Sequence, residues 1–417
     1  MSRHDPPCPM STPDGRLLCD ITQSWSAVGG GVGTYLRHKR RHILAATPHR
    51  HLLIVPGAED SLVEEGRTIT ATIASPKVPG SPNYRLMLRN GAVRRVLERY
   101  RPDLIECQDA YNLPWAAIGH ARRHPGTALV AAYCTDFPKV YVERPFRRFV
   151  GPALAGAASR LCYHYCGSLY RRFDALYAMS ENGGAAKLRE LGLDPEIVPL
   201  GVELGEFTPE RRDPAMRAAF GAGPETPLLV YAGRIDREKR ANVVVEAFRR
   251  LPRSLGARLV LVGDGPLRAE ILASGDKRIH APGFVGDRDL LARLLASADV
   301  YVSGMADETF GISIIEAQAS GLPVVGVAAG AMIDRVDPSI GRLGPIDDSA
   351  AMARNIAEVL GGDHRAMSEA AVARARNYGW DRSMERLFGH LYPLAFQRAA
   401  RRLDPALVAS SAAFAKA

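Results

Sequence analysis

The stretch Asp307-Glu308-Thr309-Phe310-Gly311-Ile312-Ser313-Ile314-Ile315-Glu316-Ala317 sets two carboxylates, Glu308 and Glu316, on either side of a glycine. The run from Ile312 reads as the start of a helix, and Gly311 lets a ligand come close to the backbone. The first N–H groups of that helix, from Gly311, Ile312 and Ser313, aim at an anion, and the macrodipole favours negative charge there. Acids beside an anion site make sense when a ligand separates them. Glu316 lies one turn into the helix on the face of Ile312, and Glu308 lies in the loop before it. A diphosphate on the helix end then leaves one carboxylate on each flank. A carboxylate accepts two hydrogen bonds at once, which suits vicinal hydroxyls. The ligand implied has the form sugar–diphosphate–nucleoside. In the plainer alternative Glu308 only complements the helix dipole and Glu316 lies on a surface face, although Glu316 sits in an otherwise apolar segment.

Cations for such a ligand stand in "VYAGRIDREKR". Gly233 turns the chain after a strand, and Arg234 and Lys239 follow at the mouth of the sheet. Arg grips a phosphate with two parallel N–H bonds and Lys adds a mobile point charge; two solvated surface cations are the competing reading. In "LVGDGPLRAEI" a structural turn is favoured, with Asp264 able to cap the helix. In "HAPGFVGDRDLL" the loop Pro282–Asp287, with Phe284 and Val285, offers backbone to a flat base. Asp287 serves there or as the helix N-cap, and both readings stay open.

These residues need strands and helices to place them. Strands are expected at Leu17–Ile21, Leu52–Val55, Leu104–Cys107, Ala128–Tyr133 and Ala175–Met179, then at Leu228–Tyr231, Arg258–Val262, Val300–Ser303 and Val324–Val327. Helices are expected at Gly33–Leu44, Tyr84–Tyr100, Ala241–Leu251, Asp287–Ala296, Ile312–Ser320 and Ala350–Leu360. The alternation is that of parallel α/β architecture. "VPLGVELGEFTPERRDP" reads as a connector near residue 200. Two doubly wound, Rossmann-like domains facing a central cleft are expected, with the ligand at the C-terminal ends of both sheets.

The chain has 417 residues, 47% hydrophobic and 24% charged, enough for two or three cores. No apolar run is long enough to span a membrane, and residues 1–18 read as a loose lead-in rather than a secretory signal. The six cysteines form no zinc-type spacing, so no metal is expected, and they fit a reduced cytoplasmic chain. A net charge of +9 favours anionic partners. It suggests nucleic acid by itself, but no helix-turn-helix, zinc or stacking motif supports that partner.

"GRIDREK", "LVGDGP", "PGFVGD" and above all "ETFGISIIEAQASGLPVVG" resemble the retaining glycosyltransferases of the GT-B fold, family 4, over about residues 15–395. The resemblance implies that Arg234 and Lys239 hold the donor diphosphate, that Glu308 contacts the donor sugar and that Glu316 contacts the ribose. Arg234, Lys239 and Glu308 are the catalytic candidates. Gly31, Gly33, Gly233, Phe284, Val285, Phe310, Gly311, Ile312, Ser313 and Glu316 are the donor-binding candidates. It also implies an N-terminal acceptor-side domain at 1–200, a donor domain at 201–380, and a final segment at 381–417 crossing back to the first domain. "GGGVGTYLRHKRRHI", "RPDLIECQDAYNLPW" and "TDFPKVYV" look most like GDP-mannose-dependent mannosyltransferases and related glycolipid-forming enzymes.

The expected activity is hexosyl transfer with retention from a nucleotide sugar, GDP-mannose favoured and a UDP-sugar possible, to a lipid-linked or saccharide acceptor. The donor is a substrate and no cofactor is expected. Domain closure over the donor accompanies the reaction. A non-catalytic sugar-nucleotide binder and a dinucleotide oxidoreductase are the alternatives. The second is disfavoured, because the Gly29–Gly33 loop fails G-x-G-x-x-G whether counted from Gly29 or from Gly31. The resemblance places that loop at the diphosphate. Near "AAYCTDFPK" the family often has a His; this chain has Cys134 or Thr135, so a His role there is in doubt. Asp109, Cys134 and Asp136 are candidate acceptor or sugar contacts, with Glu106 at a neighbouring strand end. His120 and His164 are expected to be structural. The basic, aromatic stretch from Val142 to Asp174 is either a helix packed on its domain or a surface for an anionic membrane, which suggests a peripheral place at the inner membrane face.

Overall fold

The computed structural model describes residues 15–25, 30–78 and 81–403. Residues 1–14 of the expected lead-in, Cys8 among them, Gly29 and the last part of the expected crossing segment lie outside the described residues, while Leu17 and Leu18, read at the end of that lead-in, begin the first strand. The chain divides into two compact units. One holds Met1–Met179, Ala185–Val198 and Met384–Ala417; the other holds Ser180–Gly184 and Pro199–Ser383.

The first unit is built on an eight-stranded sheet. Its strands are β1 (Leu17–Ile21), β2 (Arg50–Gly57), β3 (Ser61–Glu65), β4 (Thr68–Ala74), β7 (Leu104–Cys107), β8 (Ala128–Tyr133), β9 (Ala175–Ala178) and β10 (Glu196–Ile197), with a small separate hairpin of β5 (Lys77–Val78) and β6 (Ser81–Arg85). The order is β10-β9-β8-β7-β1-β2-β4-β3, parallel throughout except for the antiparallel edge strand β3. Central strands such as Ala128–Tyr133 are buried at every position, which is why they read as unbroken apolar runs.

Two expectations fail here. β3 and β4 escape the reading because β3 is wholly exposed and β4 alternates inward Ile69, Ala71 and Ile73 with threonines; Gly66 at φ 56 turns between them. The expected helix Tyr84–Tyr100 is β6 followed by a helix at Asn90–Tyr100.

The second unit carries a six-stranded parallel sheet: β11 (Leu228–Ala232), β12 (Arg258–Val262), β13 (Ile279–Gly283), β14 (Val300–Val302), β15 (Val324–Val327) and β16 (Gly341–Gly344). The order β13-β12-β11-β14-β15-β16 reverses between β11 and β14. Open α/β sheets bind ligands outside the carboxyl ends of the strands at such a reversal. Tyr231, Leu259, Leu261, Val300, Val302 and Phe248 form the centre of its core. Among the described residues no helix is long and apolar enough to cross a membrane.

Candidate active site

β11 ends at Ala232 and the chain turns through Gly233, Arg234 and Ile235. This turn lies against Gly263 and Gly265, after β12. A Cβ on Gly263 would stand 1.8 Å from the Gly233 carbonyl oxygen, and one on Gly265 would stand 2.4 Å from that of Ile235. Both glycines have positive φ, 140° and 158°. "LVGDGP" is therefore a packing device that sets where the Arg234 turn sits. Asp264 accepts from the N–H of Gly265 at 2.8 Å and is not the cap of the helix at Leu267–Ala273, whose N-cap position is Pro266.

Arg234 donates to Asp236 at 2.6 Å and to Glu238 at 2.7 Å, with its side chain 59% exposed. Burial pulls against its charge, but Glu238 and Asp236 outweigh that and raise its pKa. Asp236 also accepts the Lys239 N–H at 2.8 Å, closing the turn that aims the lysine. Lys239 Nζ reaches Glu308 Oε2 at 3.2 Å. Both cations are thus held by acidic neighbours.

Gly311 takes φ 84 at the N-cap of the helix Ile312–Ala319, a left-handed conformation that favours glycine. The first turn leaves backbone N–H groups of Ile312 and Ser313 without partners inside the helix. Ser313 Oγ sits 2.8 Å from the Tyr301 hydroxyl, which anchors the first turn to β14. Glu308 is fixed from behind: its carbonyl accepts the Ala331 N–H at 2.8 Å. A Cβ on Gly330 would stand 2.7 Å from the same oxygen. Phe310 lies buried beside Arg335, whose guanidinium carbon is 4.7 Å from the ring centroid, and edge-on to Tyr378. Its ring supports the loop and does not face solvent.

Glu316 is 4% exposed and accepts from Arg288 at 2.9 Å. Burial raises its pKa and Arg288 opposes that rise. Arg288 also lies over the Phe207 ring at 4.7 Å. The plainer reading of Glu316 as a surface residue fails, because the helix face it occupies is covered. Asp287 accepts from Asp289 N at 2.9 Å and Leu290 N at 3.3 Å, so its side chain is the N-cap. Phe284 is 63% exposed after β13 and Val285 is half-buried. The second unit therefore brings Arg234, Lys239, Glu308, Gly311, Ile312, Ser313 and Glu316 to the carboxyl edge of one sheet.

Gly31 and Gly33 belong to the first unit, at the start of the helix Gly31–Ala46, with Gly31 exposed and Gly33 buried. Asp109, a candidate acceptor or sugar contact, is buried and lines the same small cavity as Cys134. Its carboxylate takes the Thr22 hydroxyl at 2.8 Å, the Gln23 N–H at 2.7 Å and the Ser24 hydroxyl, pinning the chain after β1. Burial raises its pKa against these bonds. Asp136 is likewise engaged, by Tyr163 at 2.7 Å and by Lys187. Cys134 lines a small cavity with Gln108, Tyr111, Phe137 and Tyr170. Burial pushes its thiol well above the usual range. Glu106 is not at the solvent-facing strand end. It is fully buried among Lys39 at 3.0 Å, Tyr35 and Tyr177 at 2.8 Å, and Tyr392 at 2.6 Å.

Sequence reasoning missed Arg288 and Gly330. Arg288 was hidden because nothing in one sequence pairs it with Glu316, 28 positions on. Gly330 stood in "VAAGAMI" as a glycine with no spacing signal.

Residues 226–361 match the family described as Glycosyl transferases group 1, and residues 29–206 match Glycosyltransferase Family 4. The GDP-mannose-dependent alpha-(1-6)-phosphatidylinositol dimannoside mannosyltransferase of Mycobacterium tuberculosis is 30% identical over 357 residues, 84% of this chain and 89% of that protein. The chain belongs to the family 4, group 1 glycosyltransferases. As a member of this family it is also similar to a GDP-mannose-dependent alpha-mannosyltransferase of Corynebacterium glutamicum, 28% identical over 83% of this chain and 82% of that one. A sucrose-phosphate synthase from Thermosynechococcus elongatus matches its fold with a TM-score of 0.71 at 21% identity, covering 90% of this chain and 99% of that one. The fold of this glycosyltransferase is thus GT-B, two Rossmann-like α/β domains.

Proposed function

We propose that this glycosyltransferase moves mannose from GDP-mannose to a lipid-linked saccharide, with retention at the anomeric carbon. The observation that carries the donor half is the Arg234, Lys239 and Glu308 group beside the helix tip at Ile312. Two cations and a set of free N–H groups meet the charge that develops on the leaving diphosphate, which is where fixed dipoles are most effective. Glu308 lies beside Lys239 at the sugar end and Glu316 at the ribose end. The pairing of Glu308 with Lys239 orients the carboxylate toward sugar hydroxyls. In this reading, as the family resemblance implies, the leaving phosphate itself takes the acceptor proton on the face from which it departs. Residues 201–380 act as the donor side and 1–200 as the acceptor side.

The base and sugar are drawn from the two mannosyltransferase relatives, both named as GDP-mannose-dependent. A lipid-linked acceptor is supported by the stretch Tyr141–Leu161, where Phe146, Phe149, Leu154 and Leu161 are 49%, 86%, 64% and 72% exposed. They lie among Arg147 and Arg160, both exposed. Exposed apolar side chains on both sides of the kink at Gly151, with exposed arginines beside them, fit the interface of an anionic bilayer, where the acceptor's lipid would reside.

The test offers GDP-, UDP- and ADP-sugars to the purified chain with membrane lipid extract and follows radiolabel into the organic phase. Transfer from GDP-mannose above the other donors, giving an α-linked product by NMR, agrees with the proposal. Binding of sugar nucleotide without nucleoside diphosphate release under any acceptor overturns it in favour of a non-catalytic binder.

A further inference from the structure

We infer that Glu98, His120 and His124 form a site for one divalent transition-metal ion of the zinc class, on the outer helices of the first unit. His120 lies near the end of the helix Leu113–Arg123 and His124 directly follows it. Their spacing of four puts both rings on one face, with centroids 4.4 Å apart. Glu98 reaches them from the neighbouring helix Asn90–Tyr100. Its Oε1 lies 3.2 Å from His120 Nδ1 and its Oε2 lies 2.8 Å from His124 Nε2. The three ligand atoms all fall within 4.8 Å of one another.

Two imidazoles and one carboxylate are a recurring protein ligand set for zinc, with water completing the tetrahedron. The burial gradient suits that division. His120 is fully buried, while the His124 and Glu98 side chains are 27% and 37% exposed, which leaves an entry path and room for water. One group opposes a cation. Arg123 donates to Glu98 Oε1 at 3.0 and 2.6 Å, with its side chain half exposed. It is free to turn toward solvent, and it sets the affinity by competing for the carboxylate. The site sits where the helix Leu113–Arg123 returns toward the start of β8. Asp109 and Cys134 lie at the other ends of β7 and β8, so the ion would tie two covering helices together and take no part in transfer.

The full-length chain, stripped with chelator and dialysed, is titrated with zinc chloride by calorimetry, with magnesium chloride as control. Cobalt substitution is followed by visible absorption. One equivalent of zinc is expected to bind and raise Tm, magnesium should not bind, and cobalt should give a tetrahedral spectrum. His124→Ala and Glu98→Gln each weaken zinc more than about tenfold, while Arg123→Ala tightens it. Because His124 is partly exposed, its alanine variant is checked by an unchanged metal-free Tm. Absence of a one-equivalent event, or zinc affinity unmoved by both His124→Ala and Glu98→Gln, overturns the site.

Discussion

Lys239 Nζ and Glu308 Oε2 stand 3.2 Å apart although 69 residues separate them in the chain. The contact joins the turn after β11 to the loop before the helix at Ile312, the two strands' ends on either side of the sheet's reversal. Replacing Lys239 with alanine removes a cation from the proposed diphosphate site and frees Glu308 together. We expect kcat/KM with the sugar nucleotide to fall roughly 10²- to 10³-fold, read from initial rates. Glu238→Gln only releases Arg234 from one partner and should change the same constant less than about fivefold. Equal losses in both variants would show that the ion pairs, and not the cations, matter.

Glu316 is disfavoured as an anion by its burial, since that burial raises its pKa. Glu316→Gln removes this strain and, on the proposed function, weakens the acceptor offered to ribose hydroxyls. Donor Kd should rise about tenfold, or roughly 1.4 kcal/mol, by calorimetry, while Tm stays within a few degrees of the parent. A large Tm loss with unchanged donor affinity would make Glu316 purely structural.

Gly263 tests the placement of the Arg234 turn. A Cβ there meets the Gly233 oxygen at 1.8 Å, whereas Gly256 at φ 61 faces open space. Gly256→Ala should cost only the left-handed strain, about 1–2 kcal/mol. Gly263→Ala should cost more than about 3 kcal/mol in urea unfolding and weaken donor binding as well. Similar losses at the two sites would show that the turn yields easily.

His51 gives the sign of the acid response. Arg40 Nε donates to its Nδ1 at 2.9 Å, and its Nε2 faces Asp20 at 2.7 Å. Asp20 is itself held well below the usual carboxylate range by Lys39 and His51 against the effect of burial. The neutral Nε2–H form satisfies both contacts. Burial lowers the His51 pKa, with the Lys39 and Arg40 charges in the same direction and Asp20 opposing. The unfolded chain then binds this proton first, so stability falls as pH drops through the free-histidine value of about 6.5 and levels off below the folded pKa. Urea unfolding at several pH values checks the slope. An imidazole resonance of His51 titrating at or above 6.5 would reverse the sign.

The exposed side chains of Phe149, Leu154 and Leu161 should govern lipid contact. Changing all three to serine removes apolar burial worth on the order of 1.5 kcal/mol or more per side chain at an interface. Flotation with phosphatidylglycerol vesicles should drop more than about tenfold, while binding of GDP-mannose in solution is unchanged. Undiminished flotation would remove the argument for a membrane-borne acceptor.

The sequence by itself determined the α/β alternation and nearly every central strand. A strand buried on both faces reads as an apolar run where its neighbours are apolar, as Ala128–Tyr133 does, and Leu104–Cys107 keeps that reading with one buried acid, Glu106, inside it. It also determined the candidate donor group of the second half, because a glycine before a helix start and closely spaced cations are local features. Only the tertiary structure decided which partners each acid meets. Asp109, Asp136 and Glu106 look alike as acids near strand ends, yet they meet Ser24, Lys187 and Lys39 respectively. Arg288 became visible as the partner of Glu316 only when two helices were packed together. Hydrogen-bond partners far apart in the chain are chosen by packing, and periodicity along the chain carries no record of that choice.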